Sequence, residues 1–249
     1  MTGFNYGRSL QRRILAAAAM TVTLLIAGAS GAAFAADCRG GPQPGADWSG
    51  CKKSMLVIPG SQLDNANLAK ADLNFTDFRG SSLKSADIEK AKMIRASFAE
   101  ADLQDANLSR VEAYRVNFNG STANGVKFTN AEVQRADFRG AKLRDADFTK
   151  AELGRADFRG ADITGSRFTM ANLARARVAG AAFSGPIDFD NAFLLLTRLD
   201  GVDLSAATGL VQEQINLACG DNKTKLPPGL TAPAHWPCAD EVDDSNDPD

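Results

Sequence analysis

From Leu63 onward a large apolar residue returns at every fifth position: Leu63, Leu68, Leu73, Phe78, Leu83, Ile88, Met93, and onward to Phe183, with Ala113 and Ala123 the small members of the series. Two residues ahead of each centre sits a small side chain, usually alanine, as at Ala66, Ala71, Ala86 and Ala91, and the residue between is often Asp or Asn. An α-helix cannot keep this period on one face, because at ~100° per residue each repeat rotates the pattern by about 140°. A flat strand fails too, since an odd spacing flips the side chain to the other face. The chain must therefore turn about once per repeat, which predicts a solenoid with short sides.

A longer period sets the number of sides. Taking every fourth centre gives one column of Phe78, Phe98, Phe118, Phe138 and Phe158. A second runs Leu68, Ile88, Leu108, Phe128, Phe148 and Phe168, and a third, Leu73, Met93, Ala113, Val133, Leu153 and Leu173, holds no Phe. Two residues after the Phe column come Gly80, Gly120, Gly140, Gly160 and Gly180, broken by Glu100, as expected of a corner that needs positive φ. The coil is thus expected to be four-sided and 20 residues long.

This A-[DN]-[LF]-x-x pattern resembles the pentapeptide-repeat family over roughly residues 56–204, with centres that run unbroken from 63 to 183. The resemblance implies an all-β fold, a right-handed quadrilateral β-helix solenoid, with the centre and the small residue two before it pointing inward. The flanking segments Asp47–Cys51 and Ala218–Asp221 look like those of exported bacterial members. Some family members mimic DNA and protect gyrase, which requires a strongly acidic rod. Setting aside three arginines near the N-terminus and six acids of the C-terminal tail leaves 25 bases against 24 acids. A near-neutral body does not fit DNA mimicry, and no nucleic-acid partner is expected.

The pattern breaks in three places. After Phe183 the next centres are Phe189, Leu194, Leu199 and Leu204, a slip of one residue at Gly185-Pro186 that predicts a local bulge. Ala113 and Ala123 should leave the core thin, where a missing leucine-sized group typically costs ~2–5 kcal/mol. Residues 208–218 read as a short amphipathic helix that caps the last coil, and Gly220 follows as a stop signal.

At the N-terminus Arg8, Arg12 and Arg13 precede the apolar stretch Ile14–Ala27 and an Ala33-Phe34-Ala35 site, the layout of a cleavable secretory signal. A periplasmic or secreted location is expected. The domain layout is then a signal peptide over 1–36, an N-terminal cap over 37–55, the β-helix over 56–207, a C-terminal cap over 208–238, and an acidic, disordered tail over 239–249. Four cysteines in an exported chain suggest disulfides. About 29 centres make roughly seven coils, and at ~4.8 Å per coil a rod ~34 Å long. Cysteines at its two ends cannot meet, so Cys38 is expected to pair with Cys51 and Cys219 with Cys238.

Catalytic motifs do not emerge. His235 is the only histidine, and H-E-x-x-H, P-loop and G-x-S-x-G patterns are absent. Asp72, Asp87, Asp102, Asp137, Asp147 and Asp157 are repeat positions expected to face water. A carboxylate pair for glycoside hydrolysis ranks below a non-catalytic role, and neither cofactor nor metal is expected. One outward feature is ordered: Arg95, Arg115, Arg135, Arg155 and Arg175 follow the third-column centres by two, and Lys70, Lys90, Arg110 and Lys150 follow the second. These should form two stacked basic rows at adjacent corners. Either they are neutralised by Glu112, Glu132, Glu152, Asp137 and Asp157, or they bind a linear polyanion such as an anionic glycan or lipid head group. A protein partner or a second copy of the chain is the other candidate.

Overall fold

The computed structural model describes residues 36–239. The expected signal peptide, but for its last residue, and the acidic tail, but for its first, lie outside the described residues. From Asp47 the chain winds as a β-helix: single-residue parallel bridges link Asp47 to Asn67, Asn67 to Asp87 and Asp87 to Asn107, one per side and 20 residues apart as far as Asp162–Ala182. The ladder thus opens inside the segment expected to be cap.

The repeat length follows from backbone donors. In the unit around Leu73, the N–H of Ala71 closes the preceding corner on Leu68 O (3.1 Å). Asp72 N–H reaches back to Cys51 O (2.9 Å), while Leu73 and Phe75 reach forward to Lys92 O (2.7 Å) and Ile94 O (2.9 Å). One donor is left, on Asn74, and it bonds Asp72 Oδ1 at 3.2 Å. The Asp or Asn beside each centre therefore has a structural duty, because an unpaired backbone donor at a packed coil edge is costly. Asp87, Asp102, Asp137, Asp147 and Asp157 all repeat this bond to the residue two ahead. The acids expected to face water are accordingly only partly exposed, with the Asp102, Asp147 and Asp157 side chains 32%, 30% and 17% exposed.

Positive φ is a property of all four corners and not of the glycine row alone. Around one coil Ser85, Lys90, Arg95 and Glu100 have φ of 53°, 59°, 54° and 59°. Each non-glycine corner bears a left-handed cost of roughly 1–2 kcal/mol, which the coil-to-coil bonds offset.

Inside, the Phe columns stack. Phe78, Phe98, Phe118, Phe138 and Phe158 lie 4.8–5.5 Å apart between successive ring centroids. Phe128, Phe148, Phe168 and Phe189 form a second ladder at 5.0–5.4 Å. The ladders face each other across the rod and interlock edge to face, as Phe138 does with Phe128 and Phe148 at 5.6 and 5.7 Å. Such pairs add ~0.5–1.5 kcal/mol each beyond burial. Around Ala113 and Ala123 the expected thinning is met by Val111, Val116 and Val126, which stand at positions elsewhere held by alanine and are fully buried. The corner bond widens to 3.4 Å between Val126 N and Ala123 O to admit the larger group. Close by, the Oγ of Ser121 is buried without a partner.

The slip at Gly185 is a local bulge, as its sequence predicts. Bridges change from Asp162–Ala182 to Arg167–Asp188, a shift of one residue, and Phe168 still stacks on Phe189.

Both ends are sealed. At the start, Trp48 is buried in the second column, and its Nε1 and Lys53 Nζ both donate to Gly40 O at 3.1 and 3.0 Å. Lys53 also lies 4.0 Å over the Trp48 ring, and the Cys38–Cys51 disulfide ties the segment down. At the far end the helix α1 spans Gln212–Leu217, shorter than the predicted 208–218. Thr208 instead joins the ladder by bridging Asp188, and Gly209 turns the chain where any Cβ would strike the Asp190 backbone. α1 lays Ile215 over the core, and Gln214 Nε2 donates to Phe189 O and Ala192 O at 2.9 and 2.8 Å. The chain then rejoins the ladder through Cys219, which is bonded to Cys238.

Phe138 touches four other rings, so Phe138→Ala should lower unfolding free energy by ~3–5 kcal/mol in denaturant titration. The exposed Phe75, replaced by alanine, should change it by no more than about 0.5 kcal/mol.

Candidate functional site

The third-column corner carries Arg95, Arg115, Arg135, Arg155 and Arg175, all left-handed at φ 54–60°. Each is held by its own backbone: the N–H of Arg115 bonds Gln134 O (3.0 Å), that of Arg135 bonds Gly154 O (2.9 Å) and that of Arg155 bonds Ala174 O (2.8 Å) on the following coil. The guanidinium groups therefore rise from anchors one coil apart, ~4.8 Å. None of the five is without a partner in the chain, and Arg115 also stacks beside Tyr114. The second-column corner holds Lys70, Lys90, Arg110 and Lys150 on the same principle, with Asn130 and Met170 interrupting it. Lys90 and Arg110 share Glu89 at 3.1 and 3.0 Å. A shallow depression of about 360 Å³ opens beside Arg110, walled by Glu89, Asn107, Lys127 and Thr129.

Between the two rows runs a column of acids. Glu112 pairs with Lys92 at 3.7 Å, and Glu152 accepts from Asn172 Nδ2 at 2.8 Å. On the other side of the Arg row, Asp137 and Asp157 clamp Arg139 and Arg159, each at 2.6 Å. Those arginines were not singled out from the sequence. The signal was there in Asp77-Phe78-Arg79-Gly80, which recurs at 137–140 and 157–160. In each copy one carboxylate oxygen receives both the Arg backbone N–H and its Nε, while the other receives Nη2. Burial raises the Asp137 pKa, but the forked bonds from Arg139 and the charges of Arg139 and Arg159 outweigh it, so the carboxyl sits below its usual range. With the arginines about half exposed, such a clamp contributes at most ~1 kcal/mol.

The predicted disulfide partners are in place, with Cα–Cα separations of 5.4 Å for Cys38–Cys51 and 5.5 Å for Cys219–Cys238. His235 sits in the C-terminal cap, its Nε2 3.2 Å from Ala218 O, and the neighbouring Trp236 donates to the same oxygen at 2.7 Å. Among the described residues no cluster of three or more His, Cys, Asp or Glu is arranged to hold a metal, and no helix is long and apolar enough to cross a membrane.

A coil with one bridge per side and an inward residue at every fifth position defines a class of β-helix, and comparison with known families agrees. The family model for pentapeptide repeats in eight copies matches residues 61–98, and that for a pentapeptide repeat region matches 91–168. Together the two pentapeptide-repeat models match residues 61–168 of the chain. Among solved structures it is similar to HetL, a pentapeptide repeat protein involved in heterocyst differentiation regulation in the cyanobacterium Nostoc sp. strain PCC 7120, at 22% identity and TM-score 0.46, over 73% of this chain and 89% of HetL. It is also similar to QnrB1, a plasmid-mediated fluoroquinolone resistance protein, at 18% identity and TM-score 0.44, over 73% and 84%. A third likeness is to a pentapeptide repeat protein of the Arabidopsis thaliana thylakoid lumen, at 25% identity and TM-score 0.26, over 57% and 79%. No curated protein matches the chain.

Lys225 Nζ lies 2.7 Å from Asp203 and, with the Ser205 hydroxyl and backbone N–H, lowers the Asp203 pKa to about 2. This pair joins the last regular coil to the cap. Its contribution is present above the ordinary carboxylate value of 3.8 and is lost as pH falls toward about 2. Asp203→Asn should therefore lower Tm at neutral pH, and the gap between variant and parent should close by about pH 2 in an acid series of melting curves.

Proposed function

We propose that this chain is a non-catalytic exported module that binds through the long edges of a sealed rod. A disulfide and packed caps close both ends, which leaves the lateral edges as the extended ordered surfaces. The disulfides are compatible with an oxidising compartment, and the N-terminal residues have the pattern of a secretory signal. The reading carries no reaction: the ordered acids are committed to backbone donors and to arginines.

The ligand class that suits this surface is a linear polyanion, an anionic glycan or an array of lipid head groups. One observation favours it above all: five arginines at one corner of successive coils, each fixed by a backbone bond to the next. Repeating anionic groups at a spacing of several ångströms meet forked donors that repeat likewise. Heparin and vesicles rich in anionic lipid separate the two sources. Charge reversal in Arg115→Glu/Arg135→Glu/Arg155→Glu should weaken binding to the responsive probe by at least about tenfold, with a shallower salt dependence. Binding that the triple reversal leaves unchanged would contradict the assignment of the edge.

A further inference from the structure

The Arg row is the middle of a longer stripe. The same left-handed corner is held by Met55 and Phe75 on the coils before Arg95, and by Leu196 on the coil after Arg175, at φ of 57°, 58° and 55°. The N–H of Leu196 bonds Leu217 O at 2.8 Å, which sets Leu217 over it. Along its length the corner therefore reads apolar, basic, apolar, with ~29 Å over the six coils from Phe75 to Leu196. The apolar ends are open to solvent: Met55 is 75% exposed, Phe75 54% and Leu217 41%. Beside the row, on the third side, run Asn74, Ile94, Tyr114, Gln134, Gly154 and Ala174, all uncharged, and then Leu195. Val57 and Phe193, also exposed, add to the two ends from the sides that meet at this corner. With Tyr114 and Leu195 they gather here most of the large apolar side chains that the described residues expose.

We infer that this edge seats the rod lengthwise on an anionic lipid bilayer, with the arginines on the phosphates and the apolar ends inserted among the headgroups. The inference rests on the polyanion reading of the edge and selects the lipid surface over a glycan. Charge and apolar character decide between them. A soluble glycan chain offers charges and hydroxyls, and gives Met55, Phe75 and Leu217 nothing to bury against. A bilayer offers phosphates to the row and acyl chains to its ends, the combination that holds amphipathic elements at a membrane interface. Exposed apolar side chains gathered beside polar ones mark such contacts. Tyr114, midway along, has the apolar ring and polar tip that suit headgroup depth. Several acids on the adjoining sides are engaged within the chain: Glu112 meets Lys92, Glu152 meets Asn172, and Asp137 and Asp157 hold Arg139 and Arg159. The arginines of the row have partners in the chain as well, and a guanidinium with five donors in a planar fork serves a partner and a phosphate together.

Vesicles of phosphatidylcholine, with and without phosphatidylglycerol, test it beside heparin. The protein should sediment with the phosphatidylglycerol vesicles and not with phosphatidylcholine alone. Met55→Ser/Phe75→Ser/Leu195→Ser/Leu217→Ser, all at exposed positions, should bind the anionic vesicles at least about tenfold more weakly than the parent. A second readout does not depend on that variant. In Phe75→Trp, anionic vesicles whose acyl chains are brominated near the headgroup should quench emission beyond the parent's, which comes from Trp48 and Trp236. Unchanged vesicle affinity in the serine variant, or no added quenching in Phe75→Trp, overturns the inference. Heparin bound while both kinds of vesicle are refused overturns it too, and leaves the polyanion reading standing. If neither heparin nor vesicles are bound, both fall.

Discussion

The rod depends on how a five-residue unit disposes of its backbone donors. Four N–H groups go to carbonyls: one closes a corner, one reaches the preceding coil and two reach the next. The remaining one is taken by the carboxylate or amide beside the centre, as Asp72 does for Asn74. Where that position lacks the right side chain, an Asn or Asp on the preceding coil serves instead, as Asn74 does for Ile94 and Asn124 for Arg144. With this accounting met, successive coils must lie in register at 20 residues. Register then places ring on ring, basic residue on basic residue and turn on turn. Packing of Phe stabilises what hydrogen bonding has already aligned.

Much of this was legible in the order of residues. A strict period of five excludes helix and flat strand alike, and the grouping of Phe at every fourth centre announces four sides. The bulge at Gly185-Pro186 was legible as well, because one extra residue between two good centres has no other outlet. Less visible was the volume trade around Ala113 and Ala123. Reading centres alone predicts a void, whereas Val111, Val116 and Val126 supply the missing volume from the neighbouring inward position. The glycine row misled in a different way. It marks a preference at one corner, but Phe75 and Arg95 adopt the same left-handed backbone without it. Coil-to-coil bonding imposes the conformation, and the residue type only modulates its cost.

The surface was legible as rows and not as pairings. Spacing alone stacks Arg95 through Arg175 at one corner, since residues 20 apart must superpose. It cannot say which carboxylate each guanidinium meets, because that depends on side-chain reach around a corner. Asp137 and Asp157, counted from sequence as neutralising the row, hold Arg139 and Arg159 on their own turn, through bonds that also satisfy a backbone donor. The basic edge is therefore one stripe among alternating stripes.

The coil of 20 residues is tested most directly by proximity across the rod. Pyrene on cysteines replacing Asn117 and Asp137, which bridge one another on adjacent coils, should give strong excimer emission. Pyrene at Asn117 and Lys127, closer in sequence but on opposite sides, should give none. Excimer from the nearer pair and not from the more distant one would contradict the four-sided coil, and with it every row and ladder described above.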